Sequence, residues 1–589
     1  MSDLELGLIG NGTVAGLIDA QGCYAFLCLP RFDGEPVFNR LLGGDGRFDI
    51  ELRGQTTAEQ RYLRNTGVVE TVLSAADGSA VKITDFAPYF MQQGRVFRPS
   101  AICRRIEPLA GAPVIRVRIA PDCGRGAAKT PSRRGVSHIR FQDEAFDYRV
   151  TTDAPVSYLV DEREFVLDRT LSFVLGPDES LSEEPGALVS GWLERTTHRW
   201  RDWARRLATA PDWQDAVIRA AITLKMCVYE ETGGIVAALT TSVPEHEGSS
   251  RNWDYRFCWL RDAYFSVTAL NRLSAVGTLE KYLGYLRNIV AMTQGGHVQP
   301  VYGVALEHDL VESEAAALPG YRGHGPVRFG NQAAEHVQHD VYGHIILGAS
   351  QAFFDERLFA TAGALEFEQF EQVGHRAFEV YDTPDAGIWE YRGRAHVHTS
   401  SAIMCWAACD RLAKIAGRVG RPERVDFWRD RAKTIRERIL SAAWNEERRA
   451  FTGAYGGVDL DASVLLMAEI GFIDPMDPRY VATVERVDEE LRDGAHVFRY
   501  RTADDFGAPK TAFTACTFWH IDALARIGRK DEARAMFETV LASRTKLGLL
   551  SEDVDTTTGE LWGNFPQTYS MVGIINAAAR LSRSWEDVA

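Results

Sequence analysis

The chain reads as two unlike parts in series, an N-terminal antiparallel β-sandwich and a C-terminal helical toroid of (α/α)6 type, making a multidomain β + α protein. Three observations point there. Residues 1–180 hold short apolar runs, several alternating with polar residues and separated by Gly, Pro, Asp or Ser, as half-buried strands require. From residue 195 onward the apolar spacing changes to three and four, which puts one face of a helix against a core. The length of 589 residues exceeds what one compact core uses, and 45% hydrophobic with 25% charged residues excludes a disordered, collagen-like or disulfide-scaffold chain.

The predicted strands are RFDIEL, VVETVLSA, SAVKITDF, APVIRVRIA, FDYRVTT and REFVLDRTLSFVL, which place the sandwich domain at residues 1–180. PDESLSEEPGALVSG, residues 177–191, is polar and carries both Pro and Gly, and it reads as the linker; residues 181–205 form the linker helix region and 206–589 the barrel. Helical spacing is clear in WQDAVIRAAITLKMCVYE, DVYGHIILGASQAFF, SSAIMCWAACDRLAKIAG, RVDFWRDRAKTIRERIL and DEARAMFETVLASRT, five of about twelve such segments. Two long loops, 295–335 and 381–398, are rich in Gly, His, Trp and Arg, and long loops on a rigid scaffold are where binding and chemistry concentrate.

Asp and Glu outnumber Lys and Arg by 81 to 66, a formal charge of -15. That argues against a nucleic-acid or anionic-membrane surface and suits a neutral substrate. The sequence has no apolar run of ~18 residues and no basic, apolar leader, so neither a membrane span nor a secretory signal is expected. Nine scattered cysteines without CxxC spacing read as buried thiols of a cytoplasmic protein. Gly10-Asn11-Gly12 leads to Gly16, which is not a dinucleotide fingerprint. His336 and His339 lie three apart with His344 nearby; without HExxH they read as hydrogen-bonded helix histidines in preference to a metal site. No metal and no cofactor is expected.

Three segments carry chemistry. Residues 250–262, SRNWDYRFCWLRD, pack Arg, Asp and aromatics together; aromatic faces stack on sugar rings, and Asp and Arg pair with neighbouring hydroxyls. GIWEYRG, residues 387–393, sets a carboxylate among aromatics, and an apolar flank raises a carboxyl pKa as a general acid needs. LLSEDVD, followed by GNFPQTYS, supplies a second carboxylate beside amides and hydroxyls. Each alone also fits a structural role: a salt-bridged helix start, a surface loop Glu, a solvated acidic face. Together they suggest glycoside hydrolysis, which needs one protonated and one ionised carboxyl.

At these residues the sequence resembles glycoside hydrolase family 15, the glucoamylases, glucodextranases and bacterial or archaeal trehalases. LIGNGTVAGLIDAQGCYAFLCLPRFDGEPVFNRLLGG resembles the family's trehalase-like N-terminal domain, and RNWDYRFCWLRDA, PVRFGNQAAEHVQHDVYG, GIWEYRG, MCWAACDRL and GLLSEDVDTTTGELWGNFPQTYS match family blocks in order. The resemblance implies a β-supersandwich before an (α/α)6 barrel, and an inverting, exo-acting mechanism. It implies Glu390 as general acid and Glu552 as general base, with Tyr255 beside the base and its water. Arg261 and Asp262 would grip the non-reducing sugar, and Trp259 and Trp389 would wall the pocket. Arg392, Arg501, Arg328, Asn564, Gln567 and Tyr569 are further substrate-binding candidates from matching blocks. Relatives often carry His-Ser-Lys where this chain has Ser400-Ser401-Ala402, His at Met571, Glu at His344 and Ser at His324; these departures put contacts around the leaving sugar in question.

The expected activity is release of glucose from the non-reducing end of short α-glucosides, with α,α-trehalose hydrolysis as the alternative. A glycoside phosphorylase and a non-catalytic sugar-binding protein remain competitors. The expected partner is a small carbohydrate, with no nucleic acid and no membrane; a homo-oligomer is compatible with the sequence.

Overall fold

The computed structural model describes residues 3–293 and 295–588. Its N-terminal part is built of antiparallel sheets. One has four strands in sequence order, Leu6–Gly10, Ala15–Asp19, Tyr24–Leu29 and Glu35–Phe38. A second has eight, running edge to edge Ser132–Arg134, His138–Phe141, Tyr148–Thr152, Leu171–Pro177, Ile102–Ala110, Ala80–Phe86, Val69–Ala75 and Gln55–Tyr62. A third joins Phe165–Val166, Val114–Ala120 and Arg47–Leu52. In Arg47–Leu52 the inward residues Phe48, Ile50 and Leu52 are buried while Arg47, Asp49 and Glu51 are not. The edge strand Gln55–Tyr62 has no fully buried residue, so it shows no apolar alternation in the sequence. The sheets enclose a common core that includes Tyr24, Phe38, Phe48, Ile83, Ile106 and Phe173.

Inside this core lies an ion pair. Arg104 Nε donates to Asp85 Oδ1 at 2.7 Å, and both side chains are fully buried. The same guanidinium donates to Phe48 O at 2.8 Å and Gly22 O at 2.6 Å. One side chain of the eight-stranded sheet thus ties down parts of the other two, with its donors matched to acceptors, as burial of a charge demands.

The linker reading of residues 177–191 overruns. A helix, Pro185–Ala204, begins inside it, because Pro185 suits a first helical turn and the Glu184 carboxylate accepts from Gly186 N and Ala187 N at 3.0 and 2.9 Å. Its Val189 packs with Val68, Phe86, Cys103 and Val174 of the sandwich.

Among the described residues twelve helices build the second part: α1 (Gln214–Met226), α2 (Leu260–Arg272), α3 (Val276–Thr293), α4 (Asp340–Phe354), α5 (Ala364–Val380), α6 (Thr399–Arg418), α7 (Pro422–Ala442), α8 (Leu466–Glu469), α9 (Pro478–Glu490), α10 (Thr514–Arg526), α11 (Lys530–Ala542) and α12 (Thr568–Leu581), with an exposed helical turn, Trp585–Val588, after them. The even-numbered helices pack in a closed ring, α2 on α4, α4 on α6, α6 through the turn before α8, α8 on α10, α10 on α12 and α12 back on α2. The inner helices are correspondingly buried on most faces: α4 buries twelve of its fifteen residues, whereas outer α7 is apolar on one stripe only. Segments that lead into the inner helices carry the site, because a ring of helical hairpins gathers those segments at one end.

The sandwich braces those loops. Arg256 Nη1 donates to Gly34 O at 2.6 Å, and Arg31 pairs with Glu307 at 2.8 Å. All nine cysteines are unpaired, eight of them buried. Among the described residues no helix is long and apolar enough to cross a membrane.

Candidate active site

Glu390 sits in a tight turn before α6. Its backbone is left-handed, φ 60°, an uncommon state for a residue with a side chain, and it follows Gly387 at φ 66°. A Cβ on Gly387 would meet the His398 ring at 2.6 Å, so only glycine lets the turn close this tightly. The turn aims the Glu390 carboxyl at the start of α2. There Trp259 Nε1 donates to Oε1 at 2.6 Å and Arg261 Nη2 at 3.2 Å. Arg261 is itself fixed by Gln338 Oε1 at 2.9 Å and Asp340 Oδ2 at 3.2 Å. The neighbouring Trp389 donates from Nε1 to Asp461 Oδ2 at 2.7 Å.

Glu552 arrives from a different construction. It precedes the strand Asp553–Val554, the centre of a three-stranded sheet with Ala512–Phe513 and Leu561–Trp562. Tyr255 Oη donates to Glu552 Oε1 at 2.7 Å. Gly563, φ 77°, lies so close that a Cβ there would stand 2.6 Å from Glu552 Cβ and 2.9 Å from Oε2.

Both glutamates line one pocket of about 890 Å³. Of the residues expected at the site, Tyr255, Trp259, Arg261, Asp262, Trp389, Arg392, Gln567 and Tyr569 line it as well. Arg328 and Asn564 do not; they hold Trp253, which does. Asn564 Nδ2 donates to Trp253 O at 2.9 Å, and Arg328 donates to Asn252 Oδ1 at 2.5 Å with its guanidinium 4.7 Å from the Trp253 ring.

Arg501 is a correction. It is exposed, 3.5 Å over the Phe498 ring, and lies outside the pocket; Arg499 is the arginine that faces in, buried and paired to Glu245 at 3.0 and 2.5 Å. The Phe498 ring offers the Arg501 side chain an apolar seat outside the pocket. His336 is a second correction: it belongs to no helix but ends the short turn Gln332–Glu335, and it lines the pocket. His339 bonds Thr383 at 2.9 Å, while buried His344 has its Nδ1 3.4 Å from Asp340 Oδ2. Met571, His324, His344, Ser400 and Ala402 do not line the pocket; Met571, His344, Ser400 and Ala402 are buried, His324 is half-buried beside Trp562, and His344 and Ser400 border a separate small cavity with Asp340 and Ile388.

Wall residues that the sequence reading did not place at the site include Glu245, Trp253, His336, Arg499, Phe506 and Trp519. Trp253 stands inside the aromatic block and is within reach of that signal. Glu245 and Trp519 carry none, being an isolated acid and one aromatic of a buried helix.

Charge in the pocket is uneven. Burial and the neighbouring Glu245 carboxylate push the Glu552 carboxyl up to about 8, against the Tyr255 hydroxyl and Arg499, which favour its ionised form. Burial likewise lifts Asp262 to about 7, with Arg261 opposing and Glu390 adding to the rise. Two carboxyls from separate loops, with guanidiniums and indole and phenol rings in one recess, can bind a sugar and exchange protons with it.

Such a pair on an (α/α)6 barrel is the equipment of an O-glycosyl hydrolase. The chain belongs to glycosyl hydrolases family 15, whose family model matches residues 212–579; a model described as trehalase-like, N-terminal matches residues 4–136. Proteins named trehalase are similar over its length: one from Mycolicibacterium smegmatis is 30% identical over 638 residues, covering 99% of this chain and 92% of that protein. One from Thermoplasma volcanium is 29% identical over 594 residues, 98% and 93%. A trehalase of Mycobacterium tuberculosis is 36% identical over 405 residues, 67% of this chain and 58% of that protein. Among solved structures, a bacterial glucoamylase complexed with acarbose superposes with a TM-score of 0.68 at 12% identity, covering 98% of this chain and 94% of that one; at that identity the likeness is one of fold.

Proposed function

We propose that this glycosidase hydrolyses α,α-trehalose with inversion, which reverses the order of the sequence reading, where other α-glucosides came first. The observation that carries the catalytic part is the meeting of Glu390 and Glu552, 162 residues apart, in one pocket. The substrate is supported by whole-length similarity to proteins named trehalase and by the trehalase-like N-terminal match. A phosphorylase would not need a carboxylate in the place of Glu552.

In this reading one glucose lies at the pocket floor, its hydroxyls held by Asp262 and Arg261. Glu390 gives its proton to the glycosidic oxygen as the anomeric C–O bond breaks. Water attacks the opposite face, and Glu552 takes its proton. Trehalose and one water become β-glucose from the floor and α-glucose as leaving group. Tyr255 and Arg499 favour the ionised form of Glu552 that this step needs.

The test is proton NMR of trehalose mixed with the enzyme. One β-glucose and one α-glucose should appear per turnover before mutarotation. Cleavage of maltose or maltoheptaose with none of trehalose would restore the glucoamylase-type reading, and a requirement for phosphate with glucose 1-phosphate as product would replace hydrolysis by phosphorolysis.

A further inference from the structure

Residues 310–330, inside the first of the two long loops, are seated on the sandwich. The sandwich hairpin of Asp122–Cys123 and Ala128–Lys129 meets them through Arg125. Arg125 Nη1 donates to Ser313 Oγ at 2.8 Å, and its guanidinium lies 4.3 Å from the Phe329 ring. Ser313 and Phe329 are a cross-strand pair that closes the loop on itself. Glu35, on another sandwich strand, accepts from Arg125 Nη2 at 3.1 Å and Nε at 3.2 Å and so fixes the direction of the guanidinium. Gly126, φ 84°, lets the hairpin come this near, since a Cβ there would stand 2.5 Å from Leu318 Cδ2. Gly320 N adds a tie to Leu42 O at 3.0 Å.

The same loop reaches the pocket. Glu312, next to Ser313, binds two arginines, Arg392 Nη2 at 3.0 Å and Arg328 Nε at 3.5 Å. Both guanidiniums lie against Trp253, 4.1 and 4.7 Å from its ring. Arg328 also donates to Ser250 O at 3.1 Å and Asn252 O at 3.2 Å, on the segment that carries Trp253. Two guanidiniums against one ring repel each other, and the Glu312 carboxylate offsets that repulsion. The Glu312 and Arg328 side chains are 17% and 12% exposed, so water screens this pair less than one on the open surface. Glu312 itself does not line the pocket. Trp253, His336 and Arg392 line it, are half-buried and form its rim, whereas Asp262, Glu552 and Tyr569 are buried.

We propose that Glu312 is a positioning residue, holding Arg392 and Arg328 against Trp253, and that Arg125 fixes Glu312 from the sandwich, so that the first domain sets the rim of the pocket. The inference rests on the glycosidase reading and gives the sandwich a part in it. Trehalose and α-glucosyl fluoride expose that part. The fluoride has one ring and a small leaving group and needs the buried end alone, while a disaccharide extends to the rim.

The experiment is kcat and KM for both substrates in the wild type, Glu312→Ala, Glu312→Gln, Arg125→Ala and Arg125→Lys, with circular dichroism to check folding. The trehalose-to-fluoride ratio of kcat/KM should fall about tenfold in Glu312→Ala, the worth of one charge-assisted hydrogen bond, and about threefold in Arg125→Ala. Glu312→Gln keeps an acceptor without the charge and should recover part of the ratio. Arg125→Lys keeps the charge without the planar fork and should recover little. Arg125 stands outside the barrel, so its variants judge the inference even if Glu312→Ala fails to fold. An equal fall on both substrates would mean that Glu312 acts through Glu390 or on the fold at large, and would overturn the assignment; so would an unchanged ratio. A fall in Glu312→Ala with none in Arg125→Ala would overturn the part given to the sandwich. If the wild type cleaves another disaccharide and not trehalose, the proposed substrate falls while the same ratio, taken with that disaccharide, still judges Glu312. Inactivity on every glucoside and on the fluoride would overturn both.

Discussion

Replacing Glu245 by Gln should move the acid limb of the pH profile of kcat/KM to lower pH. Glu552 is raised chiefly by burial and next by the Glu245 carboxylate. Glu245 acts twice: its own charge repels an ionised Glu552, and its two bonds to Arg499, at 3.0 and 2.5 Å, neutralise the cation that would otherwise favour it. Gln removes the first effect and leaves the Arg499 charge unbalanced, so both changes favour ionised Glu552. A like charge at close range is worth ~1–3 pKa units, or ~1.4–4 kcal/mol. Burial persists, so the limb should drop by ~1–2 units without reaching an ordinary glutamate. The sign follows from the proposed role of Glu552: a base works deprotonated, activity is lost as pH falls through its pKa, and a lower pKa postpones that loss. The assay is glucose release from trehalose across the acid and neutral range at substrate well below KM, where the profile reports the free enzyme. Circular dichroism should accompany it, because Arg499 loses its buried partner and the variant should be less stable. A limb that stays in place or moves up in the folded variant would refute the argument that Glu245 governs the base.

The roles of the two glutamates separate by leaving group. Fluoride departs without a proton, so Glu390→Gln should lose about 10²–10⁴-fold on trehalose and far less on α-glucosyl fluoride, whereas Glu552→Gln should lose both; the reverse pattern would exchange acid and base. Gly563→Ala forces a Cβ to within 2.6 Å of Glu552 Cβ at φ 77°, and should cut kcat about 100-fold with KM little changed; a kcat within about twofold of wild type would show that Glu552 tolerates the shift. Arg104→Met leaves the Asp85 carboxylate in the sandwich core without its cation, held only by the Tyr24 hydroxyl at 3.2 Å, and should cost about 3–5 kcal/mol in urea unfolding; a loss under ~1 kcal/mol would mean that Asp85 finds water or a proton at little expense.

The two family matches divide the chain, and the pocket respects that division. Among the described residues every one lining it lies at or beyond Ala237, and none comes from the sandwich. Its contribution is support. Arg256 bonds Asp254 at 2.7 Å and Gly34 O at 2.6 Å, which anchors the segment carrying Tyr255 to the loop between two sandwich strands. Tyr255 in turn holds Glu552. One path from the sandwich to Glu552 therefore runs through one arginine and one phenol.

Strands and helices are legible in the residues. Alternation of apolar and polar side chains marks strands such as Arg47–Leu52, because a pleated strand with one wet face must alternate, and three-and-four spacing marks the helices for the corresponding reason. GIWEYRG is legible as chemistry, since a carboxyl among aromatics is costly to keep without a use, whereas LLSEDVD alone also fits a solvated acidic face. Linear order does not supply how loops distant in sequence meet. Arg499 and Arg501 are two residues apart and equally basic; one reaches the pocket and Glu245, the other the outer face of Phe498. His336 reads like a helix histidine beside His339 and His344, and only the turn at Gln332–Glu335 brings it to the rim. Glu245 acquires its influence on Glu552 solely by position. Periodicity encodes which side of an element is dry, a local property, whereas the proton affinity of a carboxyl depends on charges delivered from elsewhere in the chain, and those are set when the barrel closes.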